Sequence, residues 1–160
     1  MPEKILIPLD GSKLGEAALR YVEELIVNLS AEEKIEVTLI QVLPPTSQVI
    51  PIAGESIQPI PLTEEDMEPI KNETLEYLNR AAEGLRKKGT AVNCEVIIGQ
   101  IGFSSAEEII KAEDYTNADL VAMSTHGRRG LSKWVLGSVT EKVLRAGKVP
   151  LLVVRTGKKN

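Results

Sequence analysis

The sequence predicts an α/β protein, a doubly wound five-stranded parallel sheet with helices on both faces, Rossmann-like. Five short segments rich in Val, Ile and Leu recur along the 160 residues, and helical apolar patterns separate them. Several of the five are hydrophobic almost throughout instead of alternating, the mark of strands covered on both faces. The resulting β-α-β-α-β-α-β-α-β order implies right-handed crossovers and a doubly wound sheet. A chain of this length, 42% hydrophobic and 26% charged, suits a single domain over residues 1–160 that buries a substantial core.

The first strand is KILIPL, residues 4–9. Residues 12–29 place Leu14, Ala18, Tyr21, Val22, Leu25, Ile26 and Leu29 near helical spacing, and IEVTLIQVL, residues 35–43, reads as the second strand. Residues 44–62, PPTSQVIPIAGESIQPIPL, hold five prolines and are too long and too broken for an ordinary connection or a helix. They predict a surface loop, with a lid over a ligand or an extra partner contact as the functional alternative. Residues 64–88 carry Met67, Ile70, Leu75, Leu78, Ala82 and Leu85 on one face before Gly89 stops the turn. Strands at 92–98 and 119–124, helices at Ser105–Ala112 and Ser138–Ala146, and a last strand at 150–155 complete the order. Both of the last helices open on Ser-x-x-Glu, Ser105 with Glu108 and Ser138 with Glu141, which predicts two capping boxes.

Composition narrows the function. A net charge of −4 removes the positive field that a dedicated nucleic-acid binder uses to release counterions. The lone Cys94 excludes an intrachain disulfide framework and a four-thiolate zinc site, fits a reducing compartment, and reads as a buried, inert strand residue. The apolar run Ile5-Leu6-Ile7 is too short for a signal-peptide core or a membrane span. A soluble cytoplasmic protein with no nucleic-acid or membrane partner is expected.

Ligands of doubly wound folds bind beyond the carboxyl ends of the strands, where strand order reverses. Here those ends are Pro8-Leu9-Asp10, Val42-Leu43-Pro44, Ile98-Gly99-Gln100 and Ser124 to Gly130. STHGRRGLSKWVLGSVTEKV, residues 124–143, leads from a strand through Gly127, Gly130 and Gly137 to a helix N-terminus. Glycines let backbone amides approach phosphate oxygens closely, and a helix N-terminus attracts anions. Ser138 and Thr140 add hydroxyls. The other reading is a glycine-shaped turn with ordinary capping in which Ser138 is spent as the cap. Neither G-x-x-x-x-G-K-[ST] nor G-x-G-x-x-G occurs, and Lys133 precedes Gly137 too early to serve as a phosphate lysine.

Gly127, nine residues, then Gly137-Ser138, in a chain running from KILIPLDGS to VPLLVVR, resembles the universal stress protein family, specifically its ATP-binding branch, marked by Gly-x2-Gly-x9-Gly-[Ser/Thr]. Ser124 stands where that pattern has its first glycine. The resemblance covers about residues 3–156, with 44–62 as the variable part. It implies strand order 3-2-1-4-5, bound ATP, and a homodimer joined through the last strand; the cofactor expected is ATP with Mg2+, the cation that carboxylate and phosphate oxygens favour. By position it implies that Pro8, Leu9, Asp10 and Val42 line the adenine and ribose. Met123, Ser124, Thr125, His126, Gly127 and Gly130 would follow the ribose and phosphates, and Gly137, Ser138, Val139 and Thr140 the phosphate tail.

The residues leave alternatives open. Asp10 is a cap or turn residue, a ribose or adenine ligand, or an aid to a metal-bridged phosphate. His126, without a paired nucleophile, is read as binding and not catalytic. Arg128 and Arg129 point to solvent or reach phosphate, and Trp134 serves packing or a dimer contact. No catalytic or metal-ligating set is assigned. The expected function is a nucleotide-dependent regulatory or stress-response switch, with a slow ATPase or phosphotransferase and a nucleotide-free interaction module as alternatives.

Overall fold

The computed structural model describes residues 3–29, 34–47, 60–125 and 136–156. Its elements are β1 (Lys4–Pro8), α1 (Ala17–Val27), β2 (Glu36–Leu43), β3 (Thr46–Ser47), β4 (Ile60–Pro61), α2 (Glu64–Lys87), β5 (Ala91–Ile98), α3 (Ser105–Tyr115), β6 (Leu120–Thr125), α4 (Ser138–Ala146) and β7 (Leu151–Arg155). The five long strands form one sheet in the order β5-β2-β1-β6-β7, which is 3-2-1-4-5 when only those strands are counted. Every pairing in it is parallel, with Ile5 opposite Val37 and Leu120, Val42 opposite Ile97, and Ser124 opposite Val154.

Strand alternation splits the core in two. Ile5, Ile7, Val37 and Leu39 face α1 and α2, where they pack with Val22, Leu78, Ala82 and Leu85. Leu6, Ile40, Val121 and Met123 face the other way, toward Ile109 and Ala112 of α3 and Val143 of α4. Both faces of β1, β2 and β6 are therefore buried, so their sequences run apolar without alternation. No helix among the described residues is long and apolar enough to cross a membrane.

Several boundaries differ from the sequence reading. The first helix begins at Ala17 instead of residue 12, because residues 10–16 are taken up by a turn in which Gly11 adopts φ +82°. Before α3 the capping box belongs to Ser104 and Glu107. Ser105 is already helical, while Glu108 is buried and paired with Lys111. The two adjacent serines offered two candidate caps, and the extended one, Ser104 at ψ 159°, takes the role. The N-cap of α4 is Gly137, with no side-chain cap, so the expected box of Ser138 with Glu141 does not form. A box the sequence reading passed over, Thr63 with Asp66, starts α2, and Gly89 at φ +85° follows its end. Cys94 is half-buried rather than buried, and burial pushes its thiol up.

Within 44–62 the described ends pair as a small antiparallel ladder, Thr46 with Pro61 and Ser47 with Ile60. Residues 48–59, to which the lid reading chiefly refers, lie outside the described residues.

The turn from α4 into β7 is closed by Glu113, whose carboxylate accepts from the Lys148 backbone N–H at 2.7 Å. A Cβ on Gly147 would stand 2.6 Å from the Val143 carbonyl oxygen and 2.7 Å from Glu113 Oε1. Gly147→Ala is accordingly expected to lose about 1–3 kcal/mol by overpacking, read as a lower urea midpoint at unchanged slope.

Candidate functional site

A cavity of about 510 Å³ opens at the carboxyl ends of β1, β2 and β6 and the N-termini of α3 and α4, a volume in the range of small-molecule sites. It lies where the sheet reverses direction about β1, the place at which doubly wound folds bind their ligands.

The β1 end supplies Pro8, Leu9 and Asp10. Leu9 is held by its backbone N–H, which donates to the Ile40 carbonyl at 2.8 Å. Asp10 Oδ1 accepts from the backbone N–H of Ser12 at 2.9 Å and from its hydroxyl at 2.6 Å, and Ser12 Oγ accepts in turn from the Gly15 N–H at 2.9 Å. A Cβ on Gly15 would lie 2.4 Å from Asp10 Oδ1, so only glycine lets this carboxylate sit where it does. Asp10 is thus a turn residue and a wall of the cavity at once. It is the one charged side chain among the described lining residues.

The β6 end supplies Met123, buried, and Ser124. Ser124 Oγ donates to the Gly15 carbonyl at 2.9 Å and accepts from the Ala18 N–H at 2.8 Å. Because the N-cap of α1, Glu16, makes no side-chain cap, this hydroxyl satisfies the first turn of α1 from a strand more than a hundred residues away. A glycine at this position has no group that can do so.

Gly137, Ser138, Val139 and Thr140 line the opposite wall. As Gly137 brings no side-chain cap, the first amides of α4 have no intrahelical acceptor and carry the positive end of the helix dipole. A Cβ on Gly137 would meet no described atom within 4 Å. The described fold does not need a glycine there; the open space lies beside the cavity. Ser138 is exposed and not a cap, which removes the reading that its hydroxyl is spent, and Thr140 is buried in the wall.

The α3 N-terminus adds Ser105 and Ile109. It is tied to α4 by Lys142, whose Nζ lies 3.1 Å from Ser104 Oγ and 3.2 Å from Glu107 Oε1. Backbone and side-chain hydrogen bonds from Ser104, with help from Lys142, hold the Glu107 carboxyl down to about 2.

The fold therefore brings together Pro8, Leu9, Asp10, Val42, Met123, Ser124, Gly137, Ser138, Val139 and Thr140 on one cavity. His126, Gly127, Arg128 and Gly130 lie outside the described residues, as do Arg129 and Trp134. Gly15, Gln41, Leu43, Pro44, Ser105 and Ile109 also line it and were not singled out as site residues. Gln41, Leu43 and Pro44 neighbour Val42 at a strand end, a signal that was in reach. Ile109 is brought in by the packing of α3, and Gly15 by the turn that Ser12 and Ser124 hold.

Fold and site define a doubly wound α/β protein with an anion-attracting helix terminus facing a mainly apolar cavity at the switch point. The chain belongs to the Universal stress protein family, whose sequence profile matches residues 1–155. It is 31% identical to Universal stress protein MJ0531 of Methanocaldococcus jannaschii, over 98% of this chain and 84% of that protein. It is 30% identical to Universal stress protein MJ0577 of the same organism, over 97% and 96%. The solved structure of MJ0577 matches with a TM-score of 0.69 at 24% identity over 98% of each chain. The universal stress protein of Archaeoglobus fulgidus in complex with dAMP matches with a TM-score of 0.62 at 18% identity, over 94% and 95%. A family member from Arabidopsis thaliana with AMP bound matches with a TM-score of 0.62 at 17% identity, over 98% and 93%.

The Ser124 bridge has a measurable weight. Ser124→Ala is expected to lower stability by about 0.5–2 kcal/mol, the range for removing a helix cap, with faster amide exchange in the first turn of α1. Unchanged exchange at Ala18 would show that the bridge does not hold that turn.

Proposed function

We propose that the cavity holds an adenine nucleotide, ATP, accompanied by Mg2+ on its phosphates, and that the chain acts as a nucleotide-dependent regulatory or stress-response switch of the family's ATP-binding branch. The observation that carries this reading is the N-terminus of α4, which has no side-chain cap from Gly137 and opens on a cavity of about 510 Å³. Relatives of the same fold with dAMP and AMP bound support it.

In this reading Pro8, Leu9, Asp10 and Val42 take the base and ribose. Met123 and Ser124, with His126, Gly127, Arg128 and Gly130, follow the ribose and phosphates, and Gly137 to Thr140 receive the phosphate tail. Asp10, the carboxylate on the cavity, is of the hard oxygen class that a magnesium ion accompanying phosphates prefers. Amides and hydroxyls at α4 bind ground-state phosphates as well as any transition state, and uniform binding of this kind does not raise the chemical rate. The nucleotide is held more than it is turned over.

A substitution at the first helical position isolates the phosphate contact. Proline is favoured there, since its missing N–H is unpaired in the helix anyway, and Gly137 at ψ 150° already has the extended backbone that precedes proline. Ser138→Pro is expected to keep the fold while weakening ATP about 10- to 100-fold by calorimetry, the equivalent of one or two hydrogen bonds to a charged group. Parental affinity in a folded variant would overturn the phosphate assignment. Steady-state phosphate release by purified protein with Mg2+ is expected well below one turnover per second; multiple turnovers per second, abolished by Asp10→Ala, would instead mark an enzyme.

A homodimer through β7 belongs to the same proposal. β7 pairs with β6 along one edge only among the described residues, and Leu151 to Val154 are half-buried. Such an edge invites a second strand unless it is blunted. Sedimentation is expected to give a dimer for the parent and a monomer for Val153→Lys, which places a charge on that edge.

A further inference from the structure

We propose that Arg86 closes the β5 edge of the sheet against a second copy of this chain, so that assembly through strand edges stops instead of running on. This goes beyond the dimer reading above and rests on it only for the size at which assembly stops.

β5 lies at the opposite end of the sheet from β7 and pairs with β2 alone among the described residues. Its eight residues, AVNCEVII, contain no proline or glycine and a single charge, the composition of a segment that adds readily to another strand. That charge, Glu95, is hydrogen-bonded to Tyr115 of α3. Just past the strand, the Gly99 N–H donates to the Leu43 carbonyl of β2. By alternation the backbone groups of Val92, Cys94, Val96 and Ile98 therefore turn away from the sheet.

Two open edges on one sheet have a definite consequence. Copies that join β7 to β7 and also β5 to β5 form a ribbon with no last member, since each added chain brings another edge. A closed dimer requires that one edge be shut.

Arg86 does this from the last turn of α2. Its Nη2 donates to the outward Val92 carbonyl at 3.2 Å and lies 3.6 Å from Cys94 Sγ. Its Nη1 donates to Asn79 Oδ1 at 2.9 Å, and Asn79 Nδ2 donates in turn to the Leu75 carbonyl at 2.9 Å. The planar fork of the guanidinium serves both acceptors at once, which holds the group at the strand edge. It occupies a carbonyl that an incoming strand needs and sets a permanent charge in that strand's path. Lys87, the next residue, carries the same charge at the same helix end but reaches Glu83 of its own helix, at 3.8 Å. The pair of neighbours separates closure of the edge from charge as such.

The test is sedimentation of the full chain as the parent, Arg86→Met, Lys87→Met, Val153→Lys, and Arg86→Met combined with Val153→Lys. The parent and Lys87→Met are expected to be dimers of equal size. Arg86→Met is expected to form species larger than the dimer that grow with concentration, and the combined variant to stop at two chains joined through β5. Amide exchange places the contact: in Arg86→Met the outward N–H groups of Cys94 and Val96 are expected to exchange about tenfold more slowly than in the parent at the same concentration. Parental size in folded Arg86→Met, growth without slower exchange at Cys94 and Val96, equal growth in Lys87→Met, or a monomeric combined variant overturns the assignment. If Arg86→Met does not fold, Arg86→Gln replaces it with the same expectations, since glutamine is a good helix former too short to span from Asn79 to the strand. If Val153→Lys alone remains a dimer, the β7 reading fails, and Arg86 is still judged by the difference between Arg86→Met and the parent.

Discussion

β1 is paired on both of its edges, to β2 on one side and β6 on the other, and most of what the molecule offers follows from that. Right-handed crossovers send α1 and α2 to one face as the chain moves outward through β2 and β5, then α3 and α4 to the other as it returns through β6 and β7. At the carboxyl end of β1 the two sets of connections part. The space between them cannot be filled by either helix layer, and the cavity is what remains there.

Keeping such a space open demands anchors around it, and the described structure places them on backbone groups and on one ion pair. The Ser124 hydroxyl joins the end of β6 to the start of α1, and the Asp10-Ser12-Gly15 turn fixes the loop between β1 and α1. Lys142 joins α4 to the start of α3. The Ser124 and Lys142 ties each join two elements at the rim of the cavity. The described walls are therefore held in place by contacts within the fold, which lowers the ordering cost that binding has to meet there.

The polar inventory is divided in the same way. α4 presents the amides of its first turn and two hydroxyls at one wall, Asp10 a carboxylate at another, and Gln41 an amide whose buried oxygen has no partner among the described residues at a third. Leu9, Val42, Leu43, Ile109 and Met123 supply the apolar surface between them. An apolar slot with an anion-attracting end and a few directional polar groups suits a molecule that is flat and aromatic at one end and charged at the other.

Much of this was legible in the amino-acid sequence, because burial on both faces writes itself into a strand as an unbroken apolar run. KILIPL, IEVTLIQVL and DLVAMS announced β1, β2 and β6 with boundaries within a residue or so, and the glycine-serine step at 137–138 located the helix terminus. Strand order came from the resemblance to a family and not from the pattern, since periodicity carries no information about which strand lies beside which. Cap positions shifted by one residue at both Ser-x-x-Glu signals, as the choice between adjacent candidates depends on where the backbone turns extended. What only the tertiary structure decided are the contacts between residues distant in the chain. Ser124 looked like a lapse from a glycine pattern until its hydroxyl was seen to hold α1, and Gln41 looked like any polar residue in a strand until packing left its oxygen buried and without a partner at the wall of a cavity. Local sequence determines local backbone; which unsatisfied group faces which space is set only when the layers close.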